Sequence, residues 1–401
     1  MKLVKLSLAT IVAAGALSSV ASAASLEEAI KNVDVSGYAR YRYDAKNTNT
    51  STEEFNENTH RFTTDINFKS AIDDNFFGVI GFRYDSKDKS GKRAGADTKV
   101  GQALNVRQFY LGYTAGNTTI QAGRQVLGTF FTDDMVGTGI KFLNKDITGL
   151  TLAGIAFDNL QNDGDIGTGK LWIGANGDQK VYDRNLYGVA AIGSYDPVSF
   201  QVWYAALDSV AQLYALDVTL GVNLGGADLS LQAQYAGSAM WANKARTKQN
   251  AGAGGLNVVD LDDAQFLAVQ AGAKAFGFDA SVGYVNIDTK NNRASLISFE
   301  DQGDFITAGQ DLLDYTLIEA DQSIYFVTAG YKFNDYLRVG ADYVGAKYDN
   351  EISSYKGSEV VLRADYKYNK KLNFKALFSN IDRDSGENDD KHLRFEARYN
   401  F

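Results

Sequence analysis

The chain has 401 residues, a formal net charge of −9 and no cysteine. A chain with no cysteine has neither a disulfide framework nor thiol chemistry, and an acidic balance argues against nucleic acid as a partner. The chain also holds 39 glycines, 23 tyrosines and 23 phenylalanines, but a single proline. Because paired strand interiors exclude proline, this composition favours a chain that consists mostly of paired β-strands joined by tight turns.

The N-terminus predicts export. Two lysines, an apolar stretch over residues 6–17 and then Ala21-Ser22-Ala23 follow one another. This order is typical of a cleaved signal peptide, so we expect a signal peptide over 1–23 and a single mature domain over 24–401. Removal of the two leader lysines takes the net charge from −9 to −11. The alternative, an N-terminal anchor, is less favoured because the apolar run is too short to span a bilayer.

Eighteen segments, after a short predicted helix over 25–31, show the period-two alternation of apolar and polar residues that is typical of β-strands. The predicted strands are residues 33–45, 60–72, 76–87, 103–115, 117–126, 138–144, 150–157, 186–195, 198–208, 211–222, 227–238, 262–275, 277–289, 322–333, 336–348, 357–368, 371–382 and 391–401. No window after the leader is long and apolar enough for a transmembrane helix. The predicted fold class is therefore all-β: a transmembrane up-and-down antiparallel β-barrel of about 18 strands, with a margin of about two.

The connections between these strands alternate in length. The short ones are residues 73–75, 115–116, 196–197, 223–226, 334–335 and 369–370, and most are rich in turn-forming residues. The long ones are residues 46–59, 88–102, 127–137, 158–185, 239–261, 290–321, 349–356 and 383–390, while 209–210 is a short exception. A barrel inserted from one side produces this alternation, with short periplasmic turns and long outer loops, whereas a soluble β-sandwich does not.

Within the strands, one phase is apolar and the other is polar. In the first strand, Val35 and Tyr41 take the phase opposite to Arg40. We interpret the apolar phase as lipid-facing and the polar phase as the lining of a water-filled lumen, because about eighteen strands enclose an aqueous channel. Arg107 departs from the pattern, since it shares a phase with Phe109. We expect either a bulge at Arg107 or a position for it near the membrane rim.

The inward phase carries many basic residues on strands that become neighbours when the barrel closes. These bases are Arg40, Arg42, Arg61, Lys69, Arg83, Arg338, Arg363, Lys367, Lys375, Arg394 and Arg398. Their clustering favours an electric field across the pore. The alternative is a set of ordinary lumen side chains, solvated and partly paired with acids. Those acids are Asp34, Asp65, Asp342, Asp365 and Glu396.

The connection over 127–137 differs from the other loops because it lacks lysine and carries Phe130, Phe131, Asp133 and Asp134. Two phenylalanines are poorly placed in water, so we expect this loop to fold into the barrel and to pack both rings on the wall. The two aspartates then face the basic wall as a pore constriction; the alternative is a plain outer loop. The predicted constriction residues are Asp133, Asp134, Arg40, Arg42, Arg61, Arg83, Arg338, Arg363, Arg394 and Arg398.

Signals for other chemistry are weak. The two histidines, His60 and His392, stand apart at strand edges, and neither a zinc motif nor a catalytic nucleophile is evident. We therefore expect no enzymatic activity. Residues 162–167 form a Gly/Asp-rich loop whose oxygens are candidate Ca²⁺ ligands, although the EF-hand spacing is missing. The alternative is a solvated acidic loop.

The chain ends on a strand of strict alternation, and its last residue is Phe401. Closure of a barrel removes the unpaired edge that such a strand would present in a soluble sheet. A final strand with a terminal aromatic residue is similar to the sorting signal of bacterial outer-membrane barrels. We therefore expect Phe401 to act as an assembly signal, with the outer-membrane barrel assembly machinery as a partner.

Several short motifs are spread in order along nearly the whole chain. They are LEEAIK (26–31), VDVSG (33–37), VRQ (106–108), VGTG (136–139), GLTLA (149–153), NLYG (185–188), EDQG (300–303), VGAD (339–342) and KLNF (371–374). With these motifs the chain resembles the Campylobacter-type major outer membrane porin family. The resemblance implies an eighteen-stranded homotrimeric porin with a constriction loop after the fifth strand and general, cation-favouring diffusion. It also implies a structural Ca²⁺ ion between that loop and the next long loop, with Asp134 and Asp163 or Asp165 as ligands.

The sequence thus predicts a general diffusion porin of the bacterial outer membrane, in contact with its lipid, that passes ions and small hydrophilic solutes passively. A substrate-specific outer-membrane channel is one alternative, although the inward phases show no aromatic run long enough to guide a solute. A surface adhesin that uses the loops 158–185 and 290–321 is another. An adhesin need not conduct ions, so conduction separates it from a porin.

Overall fold

The structure, a computed structural model, describes most of the chain between Val33 and Phe401. The described residues are 33–49, 53–92, 98, 102–162, 166, 172–173, 179–241, 245–250, 256–290, 303–313, 320–349, 354–384 and 389–401. The predicted signal peptide over 1–23, the predicted helix over 25–31, and Asp163 and Asp165 lie outside these residues.

The described residues form strands for most of their length. The strands are β1 (Val33–Asn49), β2 (Glu54–Ala71), β3 (Phe76–Ser90), β4 (Asn105–Ala115), β5 (Thr118–Val126), β6 (Val136–Asn144), β7 (Leu150–Leu160), β8 (Trp172–Ile173), β9 (Gln179–Lys180), β10 (Leu186–Tyr195), β11 (Val198–Leu207), β12 (Ala211–Asn223), β13 (Ala227–Met240), β14 (Ala245–Asn250), β15 (Leu256–Asp260), β16 (Ala264–Ala275), β17 (Phe278–Thr289), β18 (Asp321–Lys332), β19 (Leu337–Asp349), β20 (Ser354–Lys367), β21 (Leu372–Arg383) and β22 (Asp389–Asn400). A short 3-10 helix, Val181–Asp183, precedes β10. Among the residues that the structure describes, no helix is long and apolar enough to cross a membrane.

Eighteen of these strands form one antiparallel sheet, and β8, β9, β14 and β15 form a separate small sheet built from two of the long connections. Each strand of the large sheet pairs with its neighbours along the chain. The first strand also pairs with the last, with Tyr38 of β1 opposite Asn400 of β22, and this pairing closes the barrel. The predicted eighteen-stranded barrel is therefore confirmed. The strand ends lie within about four residues of their predicted positions, except that β2 begins six residues earlier, at Glu54.

Alternation along the strands separates the two faces of the barrel wall. On β22, Leu393, Phe395 and Tyr399 point outward and are 40–49% exposed, whereas His392 and Glu396 point inward and are buried. An apolar surface of this extent would favour aggregation in water, but lipid chains solvate it in a bilayer. The outer face of the wall is therefore the lipid-facing surface.

Aromatic side chains form pairs beside the short turns, at one end of the barrel. The ring centroids of Phe76 and Tyr113 are 4.8 Å apart, and those of Phe278 and Tyr331 are 4.5 Å apart. Aromatic rings favour the membrane–water interface, where one edge is apolar and the other is wet. These pairs mark the membrane interface on the side of the short turns.

Asparagine and aspartate side chains close three of the short turns. The Oδ1 atom of Asn334 accepts hydrogen bonds from the backbone N–H groups of Tyr336 and Leu337, both at 2.9 Å. Asn369 and Asp73 accept the equivalent two bonds in their own turns. These residues were turn signals in the sequence because their side chains satisfy the backbone where the chain reverses.

A bulge in β4 decides the position of Arg107. The pairing of β4 with β3 skips Arg107, and Phe82 lies opposite Val106. As a result Val106 and Phe109 both face outward, at 39% and 64% exposure, while Arg107 points inward and is 7% exposed. One extra residue in a strand re-aims side chains in this way. The expectation of a bulge is confirmed, and the bulge turns Arg107 into the barrel.

Much of the inner face of β10–β12 is apolar, although the inward side chains of Ser199, Gln201, Asp217 and Thr219 are polar. Trp203, Leu207 and Leu213 point inward and are at most 2% exposed, while Val202 and Tyr204 point outward. The outer face of these strands is therefore apolar, and so is much of their inner face. Charged inward side chains are concentrated on β1–β4 and β19–β22, which form the opposite side of the barrel.

Candidate pore constriction

The connection between β5 and β6 folds into the barrel; we call residues 127–135 the first inward segment. The N–H of Leu127 donates to the carbonyl of Met135 at 2.9 Å and closes the segment at its base. Leu127, Phe130, Phe131 and Met135 are at most 2% exposed and join one core cluster with the inward side chains of β10–β12. The predicted inward loop is confirmed, and burial of its apolar side chains explains its position.

Part of the long connection between β17 and β18 also lies inside the barrel; we call residues 303–313 the second inward segment. Phe305 and Leu312 are each 4% exposed. The ring of Phe305 packs against Phe130 of the first inward segment and Phe266 of β16, with centroid distances of 4.6 Å to each. The expectation of an outer loop is therefore wrong for this segment. Its apolar residues were the signal that could have placed it inside.

Gly303 allows the two inward segments to touch. It has a φ of 49°, and a Cβ atom at this position would lie 2.4 Å from the carbonyl oxygen of Phe130. The neighbouring N–H of Asp304 donates to that same carbonyl at 3.1 Å. A residue without a Cβ atom is needed for so close an approach of two backbones.

Glu359 of β20 holds the middle of the second inward segment. Its carboxylate is fully buried and accepts hydrogen bonds from the consecutive backbone N–H groups of Gln310, Asp311 and Leu312, at 2.9–3.2 Å. The hydroxyl of Ser379 donates to the same carboxylate at 2.5 Å. A buried carboxylate is unfavourable unless such donors surround it, so the segment and Glu359 depend on each other.

Asp311 fixes the second inward segment to β22 and β1. Its carboxylate lies 2.6 Å from Nδ1 of His392 and 3.0 Å from Nζ of Lys46. The other ring nitrogen of His392 lies 2.8 Å from Asp44, which also accepts a hydrogen bond from Arg394. Burial acts to raise the pKa of Asp311, but the hydrogen bond with His392 and the charge of Lys46 outweigh it and hold this pKa below its ordinary value.

Asp134 connects the first inward segment to the charged wall. Its carboxylate lies 2.8 Å from Nη2 of Arg83 and 2.9 Å from Nη2 of Arg107. The Arg107 guanidinium also donates to the backbone carbonyl of Asp134. Asp65 contacts both arginines, at 2.9 Å and 3.3 Å. Asp65, Asp134, Arg83 and Arg107 thus form one network of two acids and two bases. Arg107 was not among the predicted constriction residues. The neighbouring Asp133 is exposed.

Most of the other predicted constriction bases pair with acids on nearby strands. The pairs are Arg42 with Glu396 at 2.8 Å, Arg61 with Asp85 at 2.8 Å, Arg338 with Asp279 at 2.6 Å, Arg363 with Asp342 at 2.7 Å and Arg394 with Asp44 at 2.5 Å. The charges of the wall therefore cancel in large part. This is the paired arrangement that stood as the alternative to an open field across the pore.

Arg40 and Arg398 are less well compensated. Glu396 lies 3.9 Å from Arg40, compared with 2.8 Å from Arg42. Both guanidinium groups lie near the ring of Tyr38, that of Arg398 at 3.9 Å and that of Arg40 at 5.8 Å from its centroid. Sequence reasoning missed Tyr38, although its phase in β1 is that of Arg40 and was readable.

Asp134 does not fit the calcium site that the resemblance implies. Both carboxylate oxygens face the guanidinium groups of Arg83 and Arg107, at 2.8–3.1 Å, and a cation at Asp134 would meet those positive charges. Within the described ranges, no three acidic or histidine side chains come together to hold a metal ion. Since Asp163 and Asp165 lie outside those ranges, their calcium role stays a prediction.

Phe401 lies at the end of the barrel that carries the short turns. Its backbone N–H and carbonyl exchange two hydrogen bonds with Gly37 of β1, both at 3.1 Å. Its ring centroid is 5.9 Å from that of Tyr399. The terminal residue therefore takes part in the seam that closes the barrel.

A closed eighteen-stranded barrel with an apolar outer surface, an inward loop and a charged inner wall defines a porin of the bacterial outer membrane. The chain belongs to the Campylobacter major outer membrane protein family, whose family model matches residues 1–401. No curated protein matches the chain at a significant level.

Solved outer-membrane structures share the fold. OccAB4 of Acinetobacter baumannii has a TM-score of 0.67 at 13% identity, over 92% of this chain and 98% of that chain. OprD of Pseudomonas aeruginosa has a TM-score of 0.63 at 15% identity, over 92% and 93% of the two chains. A BenF-like porin of Pseudomonas fluorescens Pf-5 has a TM-score of 0.65 at 15% identity, over 92% and 99%. At these identities the likeness concerns the fold alone.

Proposed function

We propose that the protein is a passive diffusion channel through which ions and small hydrophilic solutes cross the outer membrane. The observation that carries this proposal is the position of the two inward segments. Their apolar side chains pack on the apolar part of the inner face. Asp134 and Asp311 of these segments contact charged side chains of the wall, namely Arg83, Arg107, His392 and Lys46. A passage with charged walls is favourable for water and hydrated ions, because the charged groups interact with the dipoles of water and with the ions.

Conductance in planar bilayers tests this proposal. The purified mature protein should give stepwise current increments in KCl that scale with the conductivity of the bulk solution. Folded protein that gives no increments would reject the channel. If such protein still bound to surfaces, the adhesin alternative would gain support, although the second inward segment is buried within the barrel rather than presented outside it. Saturable currents for one solute would favour the substrate-specific alternative.

We propose further that the channel prefers cations to a modest degree. The whole chain has 49 acidic and 40 basic residues, and the exposed Asp133 lies beside the constriction. The preference is modest because Arg83 and Arg107 compensate the charge of Asp134. The reversal potential across a KCl gradient measures it directly.

Two assembly properties are also proposed, on the basis of the family resemblance. Copies of the chain form a homotrimer, which mass measurement of the native protein tests. Asp163 and Asp165 bind a structural Ca²⁺ ion, and because a ligand held by the folded state stabilises that state, chelation should lower the unfolding temperature. The double variant Asp163→Asn/Asp165→Asn should lose this sensitivity. A variant as sensitive as the natural protein would place the ion elsewhere.

A further inference from the structure

Two inward arginines lie directly opposite each other in the seam that closes the barrel: Arg40 of β1 and Arg398 of β22. Directly opposite side chains on antiparallel strands have Cβ atoms about 4.5–5.5 Å apart, and like charges in such positions repel each other. A pair of arginines at this position therefore calls for a counter-charge.

A neighbouring arginine pair has that counter-charge. Arg42 lies opposite Arg61. Arg42 donates two hydrogen bonds to Glu396, at 3.0 Å and 2.8 Å, and Arg61 donates two to Asp85, each at 2.8 Å. The two carboxylates of this region are thus engaged by the Arg42–Arg61 pair.

The protein supplies less to the Arg40–Arg398 pair. Arg40 donates to the hydroxyl of Thr63 at 3.3 Å and lies 3.9 Å from Glu396. Its Nε atom is buried and has no hydrogen-bond partner in the part of the chain that the structure describes. Arg398 donates to the side-chain oxygen of Asn400 at 3.0 Å. The pair therefore carries an excess of positive charge on the inner face.

Tyr38 orients the two guanidinium groups. Arg398 lies over its ring at 3.9 Å, and Arg40 lies 5.8 Å from the same centroid. A guanidinium stacked on an aromatic face presents its N–H donors sideways, in the plane of the group. The hydroxyl of Tyr38 accepts a bond of 3.5 Å from Arg83, which also contacts Asp134. The pair therefore lies next to the constriction network.

We propose that Arg40, Arg398 and Tyr38 form a binding site for a small oxyanion, namely a carboxylate or phosphate group on a solute in the lumen. The planar donors of two guanidinium groups match the oxygens of these anions, whereas chloride offers no matching geometry. The inference deepens the proposed channel function, because it adds a site at which oxyanion solutes are retained next to the constriction.

Thermal unfolding of the intact mature protein in detergent tests binding without any need for conduction. Potassium succinate and potassium phosphate are titrated separately, with KCl adjusted to hold the ionic strength constant. The unfolding temperature should rise and saturate with one or both oxyanions but not with chloride alone. Arg40→Gln and Arg398→Gln should each weaken the apparent affinity at least tenfold. Lys274→Gln is the matched control, since it removes one positive charge from the inward phase of β16 and should leave the affinity unchanged.

Ion current gives a second readout. Succinate or phosphate should reduce the potassium current in a saturable way in the natural protein and in Lys274→Gln, but not in Arg40→Gln. If the glutamine variants do not fold, Arg40→Lys and Arg398→Lys replace them. These lysine variants keep the positive charge but lack the planar donors, so we expect them to bind the oxyanions much more weakly than the natural protein.

Conducting protein with no saturable response to either oxyanion would overturn the site and leave the channel intact. Retained binding without conduction would overturn the channel and leave the site. Equal losses in Lys274→Gln would overturn the site by showing a general effect of charge.

Discussion

The ring of Phe130 lies 4.6 Å from the ring of Phe305, centroid to centroid, and this contact joins the two segments that enter the barrel. The backbone supports it, because the N–H of Asp304 donates to the carbonyl of Phe130 at 3.1 Å. The first and second inward segments therefore form one unit that packs on the apolar part of the inner face. The width of the passage depends on where this unit is held.

Phe130→Ala should loosen both inward segments at once. Truncation of a buried phenylalanine to alanine costs about 3–5 kcal/mol in folding free energy. We expect a lower unfolding temperature and a larger, noisier single-channel conductance, because the segments that narrow the lumen lose their shared contact. Phe109→Ala removes a ring that is 64% exposed on the lipid-facing surface and is the matched control. Equal changes of conductance in the two variants would contradict this role for Phe130.

Glu359→Gln should release the second inward segment from β20. The variant places an amide donor where three backbone N–H groups now meet a carboxylate, and hydrogen bonds to charged groups contribute about 1.5–3 kcal/mol each. We expect higher conductance and new cleavage by added protease within residues 303–313. Ser379→Ala removes one bond to the same carboxylate and keeps the backbone bonds, so its effect should be smaller. A Glu359→Gln channel with the conductance of the natural protein would show that other contacts hold the segment.

Acid should weaken the attachment of the second inward segment through Asp311. Its pKa in the folded protein lies below its ordinary value, which is about 3.9. The stability that it contributes is therefore complete above that value and is lost as the pH falls through the folded pKa. We expect conductance noise to rise below about pH 4. Asp311→Asn should show this noise already at neutral pH. Asp335→Asn, in an exposed short turn, is the control and should show the same rise in noise at low pH as the natural protein. If Asp311→Asn also responded to acid like the natural protein, the acid response would belong to another group.

The strands were predictable because each one separates an apolar phase from a polar phase, and the side chains of a strand alternate by geometry. The first inward segment was predictable for a related reason, since Phe130 and Phe131 are poorly placed in an outer loop. The same argument applied to Phe305 and Leu312. It was missed because these residues lie within the long connection over 290–321, which was interpreted as an outer loop. The sequence shows that a loop is apolar, and it does not show which inward surface accepts it.

The partners of the charged wall were not predictable from phase alone. Phase shows that Arg42 and Arg61 point inward, but register decides that they lie opposite each other and that Glu396 and Asp85 compensate them. Register between distant parts of the chain, such as β1 and β22, is set by closure of the whole barrel. The inward position of Arg107 was harder to predict, because it also depends on a bulge that reverses the face on which Arg107 lies.

Neutralising Asp133 and Asp134 together should shift the reversal potential in a KCl gradient toward that of an anion-preferring channel. Arg83 and Arg107 would keep their charges at the constriction while Asp134 loses its own. The shift should shrink as salt rises, because the Debye length falls from about 10 Å at 0.1 M to about 3 Å at 1 M. Asp134→Asn alone should also lower the stability of the protein, since it weakens two ion pairs. Asp133→Asn, at an exposed position, is the control for this effect on stability. No shift at low salt would mean that the charge filter lies in other loops.

Deletion of Phe401 should impair assembly of the barrel in the outer membrane. The deletion removes two backbone hydrogen bonds to Gly37 and the ring beside Tyr399, and it also removes the terminal aromatic residue that we expect the assembly machinery to recognise. The expected result is unfolded periplasmic protein and little heat-modifiable protein in outer-membrane fractions. Phe401→Ala keeps the backbone bonds and loses the ring, while Phe401→Tyr keeps both. A loss of assembly in the deletion but not in Phe401→Ala would assign the effect to the seam with β1, and a loss in both would assign it to recognition of the aromatic ring. Normal yield of folded protein without residue 401 would refute both explanations.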